Sequence, residues 1–169
     1  PGFGIDDDGC VTDQLIEYLV ERARSRPGMI VTGAKPVHPL GSADPKTVKM
    51  VPLWEERVLP SLERMVKAVH QYDVKFGAQL NHAGLAHLPQ ESVCPSAIPE
   101  LADMGLPVRE ATRDDLKEYV QAFVIAAERC VKVGFDFVEI HGGHGYLINT
   151  FLTPFYNRRT DEYGGSFEN

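Results

Sequence analysis

Two histidines and a tyrosine gather in one short run of this chain, His141-Gly142-Gly143-His144-Gly145-Tyr146. Imidazole nitrogens donate to a carbonyl oxygen, and a phenol delivers a proton. Together they suit the reduction of an activated double bond, provided another group supplies the hydride. The run follows residues 135–140, an apolar stretch that reads as a buried strand. Two other strand-like stretches also end in residues that a pocket needs. One ends at Thr32-Gly33-Ala34, small enough for backbone to approach a flat ligand. The other ends at Gln79-Leu80-Asn81-His82, which places an amide and an imidazole at its exit. Parallel α/β architectures build their sites at the carboxyl edge of the strands.

Each of these residues has a plainer reading. His141 and His144 could bond backbone carbonyls, or bind a metal, since three-residue spacing places two ligands on one helical face. The intervening glycines and the preceding strand argue against a helix, and no thiolate or carboxylate motif adjoins them, so no metal is expected. Tyr146 alone would be a packing residue with a satisfied hydroxyl, and Gln79 alone a bond to loop backbone. Glu139 shares a strand face with His141 by period two, as an ion-pair partner or as a group that orients a histidine. Arg158, Arg159, Asp161 and Glu162 read as a salt-bridged loop lock rather than a catalytic set.

The elements that must position these groups alternate. Thr12 can cap a helix in which Ile16, Leu19, Val20 and Ala23 recur at three and four residues. A strand over 29–32 follows, then a polar, Pro-rich loop over 35–52. The second helix spans about 58–72, with Pro60 in its first turn and Leu62, Met65, Val66 and Val69 on one face. The second strand covers 74–80. Residues 81–111 carry no expected regular structure, as suits a functional or mobile loop. Thr112 with Asp115 makes a capping box for a third helix, which buries Leu116, Tyr119, Val120, Phe123, Ala127 and Cys130 and closes at Gly134. Apolar strands separated by amphipathic helices imply a parallel sheet. Three strands do not close a barrel of about 250 residues, so an open sheet and part of a barrel both stand on this pattern.

Composition bounds the rest. Asp and Glu outnumber Lys and Arg 24 to 17, a net charge of −7 with no basic run, which argues against a nucleic-acid partner. With 43% hydrophobic residues the chain can bury one sizeable core. No apolar stretch approaches the roughly 20 residues that span a bilayer, and no signal peptide is evident, so no membrane partner is expected. Cys10, Cys94 and Cys130 form no CxxC pair. Cys130 reads as a core thiol and the other two as loop residues, a pattern expected of a reducing, cytoplasmic setting.

Four stretches in order, TDQLIEYLVERARSRPGMIVTGAKPVHPLG, GAQLNHAG, CPSAIP and GFDFVEIHGGHGYLINTFLTPFYNRRTDEYGGSFEN, resemble the Old Yellow Enzyme family of NAD(P)H:flavin oxidoreductases. The likeness covers nearly the whole chain and is nearest the ene-reductase and 2,4-dienoyl-CoA reductase branches. It implies an α/β fold that is the N-terminal part of a TIM (β/α)8 barrel, with FMN at its mouth and residues 1–169 forming a partial FMN-binding domain. By position it implies that Ala34 and Gln79 contact the flavin, that His141 and His144 grip the substrate's carbonyl oxygen, and that Tyr146 donates the proton. The implied reaction passes a hydride from NAD(P)H through FMN to a small-molecule enone or enoyl substrate. The family's first strand should precede Pro1, and its flavin-contacting arginine and phosphate site should follow Asn169. The 169 residues alone are therefore expected to bind FMN weakly or not at all and to be inactive. The resemblance leaves room for a 4Fe–4S cluster in downstream sequence, since LINTFLTPFYN leans toward that longer branch, and for a homo-oligomer. Rival readings are an amine-dehydrogenase or demethylase relative, a metal-dependent hydrolase barrel using the histidine pair, and a non-catalytic truncated copy.

Overall fold

The computed structural model describes residues 3–42, 48–86, 92–103, 108–166 and 168–169. Its frame is a three-stranded sheet in the order β1-β2-β5, with both pairs parallel. The strands are β1 (Met29–Pro36), β2 (Lys75–Asn81) and β5 (Phe137–Ile140). Three helices, α1 (Asp13–Arg24), α2 (Leu59–Val69) and α4 (Arg113–Val133), pack against one face. Phe76, Ala78 and Leu80, which alternate along β2, meet Leu62, Met65, Val66 and Cys130 there, all at 2% exposure or less. Parallel strands need such crossover helices, and the helices need the sheet to bury their apolar stripes.

Local signals set the helix ends. Thr112 and Asp115 close the expected capping box, and Gly134 ends α4 with φ of 96°, a left-handed value that suits glycine. Pro60 sits in the first turn of α2, where its missing N–H costs nothing. Thr12 occupies the cap position of α1, but its buried hydroxyl bonds neither the helix nor any other described group. Helix α4 exposes Val120 at 62%, together with Val124 and Val131, so the stripe read from the sequence was one residue too wide.

Two expected loops hold regular structure. Strand β1 continues through Lys35 and Pro36 rather than ending at Thr32. Within 81–111 lie β3 (Ser92–Cys94), the short helix α3 (Pro99–Asp103) and β4 (Val108–Glu110). Strands β3 and β4 pair in parallel as a second small sheet, with Val93 opposite Arg109. Cys94, expected in a loop, is fully buried on β3. Strands of three residues are too short to show a period. The chain closes with α5 (Leu147–Phe151). No helix among the described residues is long and apolar enough to cross a membrane.

Candidate functional site at the strand ends

The register of the sheet brings the expected residues into line. Thr32 lies opposite Ala78 and Lys35 opposite Leu80, so Gly33 and Ala34 together face Gln79 across a bulge. Gln79 in turn lies opposite Glu139. A side chain on Gly33 would meet nothing within 4 Å, so this stretch of backbone borders open space. Gly77, one step below, has the opposite reason for being glycine, since a Cβ there would fall 2.3 Å from the Phe137 ring.

Lys35 pins the bulge from behind. It is 3% exposed, and its Nζ donates to Thr32 Oγ1 at 2.8 Å and to the Gly33 carbonyl at 3.1 Å. Burial pushes its pKa down from 10.5 to about 8. Nothing in the sequence signalled this, because residue 35 opened what read as a loop.

Gln79 Nε2 donates to Glu139 Oε1 at 2.8 Å, so among the described residues Glu139 orients this amide rather than pairing with a cation or a histidine. A carboxylate only accepts, so the amide nitrogen must face it, and the amide oxygen of Gln79 is left to accept from the open side.

His141 extends the ladder, its N–H donating to the Leu80 carbonyl at 2.9 Å. The chain then turns tightly. His144 takes φ of 58°, an uncommon value outside glycine, between Gly143 and Gly145, itself at 71°. That turn folds the second ring back onto the first, with His144 Nδ1 3.0 Å from His141 Nε2 and the ring planes at 88°. The Tyr146 ring centroid lies 4.7 Å from His141 and 6.3 Å from His144. The Leu147 N–H donates to the His82 carbonyl at 3.0 Å, and Asn149 Oδ1 accepts from the Gly145 N–H at 2.9 Å. The turn is thus tied to the end of β2 and to the first residues of α5. Two ring nitrogens meet at hydrogen-bond distance with a phenol alongside, so the groups that could hold an oxygen and offer a proton share one corner of the sheet edge.

Asn81 and His82 do not join it. Both are 1% exposed, and the His82 ring packs on Gly41 and on Tyr119, whose ring centroid is 4.4 Å away. The 157–165 segment is a lock, as expected. Arg159 holds Asp161 with two hydrogen bonds and donates to the carbonyls of Pro95 and Ala111 at 2.9 and 2.7 Å. It thereby fastens β3 and β4 beside the site. Among the described residues no group of three or more His, Cys, Asp or Glu side chains is placed to hold a metal.

Known proteins resemble this chain along nearly its whole length. The model of the NADH:flavin oxidoreductase / NADH oxidase family matches residues 3–169. An NADPH dehydrogenase of Listeria monocytogenes serotype 4a is 42% identical over 159 residues, covering 94% of this chain and 46% of that protein. One of Clostridium acetobutylicum is 38% identical over 169 residues, covering 99% of this chain and 49% of its own length. Among solved structures, Old Yellow Enzyme from a Pichia species superposes with a TM-score of 0.87 at 28% identity, covering 98% of this chain and 46% of its own. A 2-naphthoyl-CoA reductase in complex with 2-naphthoyl-CoA gives 0.86 at 31% identity, covering 97% and 27%.

The fold is α/β with parallel strands, matching the N-terminal part of an Old Yellow Enzyme barrel. The chain belongs to the NADH:flavin oxidoreductase / NADH oxidase family, and it spans about half the length of the curated relatives it matches. The residues present fit a flavin. The backbone at Gly33 borders open space across from Gln79, and the amide oxygen of Gln79 suits a ring N–H.

Proposed function

We propose that the intact protein is an FMN-dependent NAD(P)H oxidoreductase that reduces the double bond of an α,β-unsaturated carbonyl or enoyl substrate. The observation that carries this reading is the convergence of His141 Nε2 and His144 Nδ1 at 3.0 Å beside Tyr146. When bound, the flavin supplies the hydride, taken from the nicotinamide and passed to the substrate's β-carbon. The chain's own residues do the remainder. The backbone at Gly33 and Ala34 and the amide of Gln79 seat the flavin edge. His141 and His144 hold the carbonyl oxygen, where negative charge develops as the β-carbon is reduced. Tyr146 then gives its phenolic proton to the α-carbon as general acid and regains one from solvent. The named neighbours support the two halves of this reading, one set being NADPH dehydrogenases and another protein being a reductase complexed with an aryl-CoA thioester.

The test is turnover of a cyclic enone by the flavin-loaded intact protein. Tyr146→Phe is expected to lower it by about 10²–10⁴-fold, the usual worth of a positioned general acid. His141→Ala with His144→Ala is expected to raise the KM as well as lower kcat, since the oxygen loses both donors. A colourless protein, or full turnover without both imidazoles, would overturn the proposal.

A further inference from the structure

We infer that His144 is a tautomer switch, and that a carbonyl oxygen enters this site only as the proton on His144 moves from Nε2 to Nδ1. The inference rests on the proposed function and deepens it. It follows from counting protons on four ring nitrogens. His141 Nδ1 faces the Gly143 N–H at 3.3 Å. A backbone amide cannot give up its proton, so Nδ1 is the acceptor and the proton of neutral His141 sits on Nε2. That N–H points at His144 Nδ1, 3.0 Å away, which must therefore accept. The proton of neutral His144 is left on Nε2, turned away from its partner.

In this state the pair offers no joint grip. Of the two converging nitrogens one carries a hydrogen and the other a lone pair. An oxygen that displaced the ring–ring bond would gain one hydrogen bond, from His141, and face one repulsive lone pair, on His144. For both rings to donate, the ring–ring hydrogen bond must open and His144 must lose the Nε2 proton and gain one on Nδ1, while the proton of His141 stays on Nε2. His144 is exposed, so water can take the first proton and deliver the second with no net change. An oxygen that bears full negative charge is served differently, by a third proton that leaves both His144 nitrogens protonated. Among the described residues the other titratable groups near the pair are the Tyr146 phenol, beside His141, and Glu139, which is two residues back on β5 and engaged by Gln79. Neither lies between the two ring nitrogens, so neither replaces the switch.

The turn makes the device possible. With φ of 58° at His144, the second ring folds onto the first at hydrogen-bond distance. Asparagine tolerates that backbone and carries a fixed N–H₂ group, so His144→Asn supplies a donor that needs no switch.

The experiment is nitrogen NMR of the flavin-loaded intact protein labelled with ¹⁵N-histidine, titrated with cyclohexanone, a ketone with no double bond to reduce. His144→Asn identifies the His144 signals by their loss. The expected result is an unprotonated Nδ1 and protonated Nε2 on His144 without ketone, exchanged at saturation, while His141 keeps its proton on Nε2 throughout. Saturation with no change on His144, or an Nδ1 already protonated without ketone, would overturn the switch and leave the proposed function standing. A ketone that perturbs neither the flavin absorbance nor either ring would overturn the carbonyl site itself.

Discussion

Lys35 stores a penalty that a single substitution should release. Its ammonium is buried at 3% exposure, and its hydrogen-bond partners among the described residues are a hydroxyl and a carbonyl, Thr32 Oγ1 and Gly33 O. Burial lowers its pKa from 10.5 to about 8. A shift of that size corresponds to about 3 kcal/mol of unfavourable folding free energy at neutral pH. The sign follows from where the protons are. Below pH about 8 both folded and unfolded chains hold the proton, and the penalty is fully present. Between about 8 and 10.5 the unfolded chain still binds it while the folded chain does not, so stability rises with pH across that window. Above 10.5 both are neutral and the penalty is gone.

Lys35→Met keeps the length of the side chain and removes the charge. It forfeits two hydrogen bonds, at a cost of about 1–2 kcal/mol. The variant is therefore expected to be more stable than the parent by about 1–2 kcal/mol near pH 7 and no more stable near pH 10. Urea unfolding of both proteins at the two pH values measures the difference. Parallel stability curves from neutral to alkaline pH would refute the reasoning, because they would mean that the ammonium pays nothing for its position. A second readout separates stability from function. The Gly33 carbonyl loses its tether, the bulge at Gly33 and Ala34 loosens, and flavin affinity is expected to fall even as the fold gains stability. Such opposition is common where a strained element serves a site.

Two further predictions concern the parts that orient the site. Glu139→Ala removes the acceptor that fixes the Gln79 amide, leaving it free to flip; FMN affinity should weaken by about 10-fold, the worth of one hydrogen bond, as read by quenching of flavin fluorescence. An unchanged affinity in that variant, with Gln79→Ala still weakened, would show that the amide needs no guide. Arg159→Lys cannot reproduce the two-pronged bond to Asp161 together with donation to the Pro95 and Ala111 carbonyls, and should cost about 2–4 kcal/mol, read by urea unfolding. The Arg159 guanidinium holds the Asp161 carboxyl below its ordinary 3.8, so the stabilisation this pair gives is present above that pH and lost as pH falls below it.

What could be read from the sequence was what neighbours along the chain decide. The Thr112–Asp115 cap, the stop at Gly134 and the Pro60 entry are each settled within one turn of helix. The strand ends were legible for the same reason, as apolar runs that halt at small or polar residues. Features decided by distant partners were not. Strands β3 and β4 exist because Val93 meets Arg109 and because Arg159, some fifty residues further on, ties down the carbonyl of Ala111. Lys35 is buried within reach of Cys130, some ninety-five residues further on in α4, and Asn81 and His82 turn inward because Gly41 and Tyr119 make room there.

The histidine pair falls between these cases. Its residue types and spacing were evident, and a helix over them was excluded by the two glycines. Its chemistry, however, depends on which nitrogen meets which, and that is set by the left-handed turn at His144 and by the Gly143 N–H that fills His141 Nδ1. Two imidazoles at suitable spacing are two donors only if nothing already consumes their protons. Here an amide hydrogen fills one lone pair and the ring–ring contact uses the facing proton, so the pair can grip an oxygen only after His144 is rearranged.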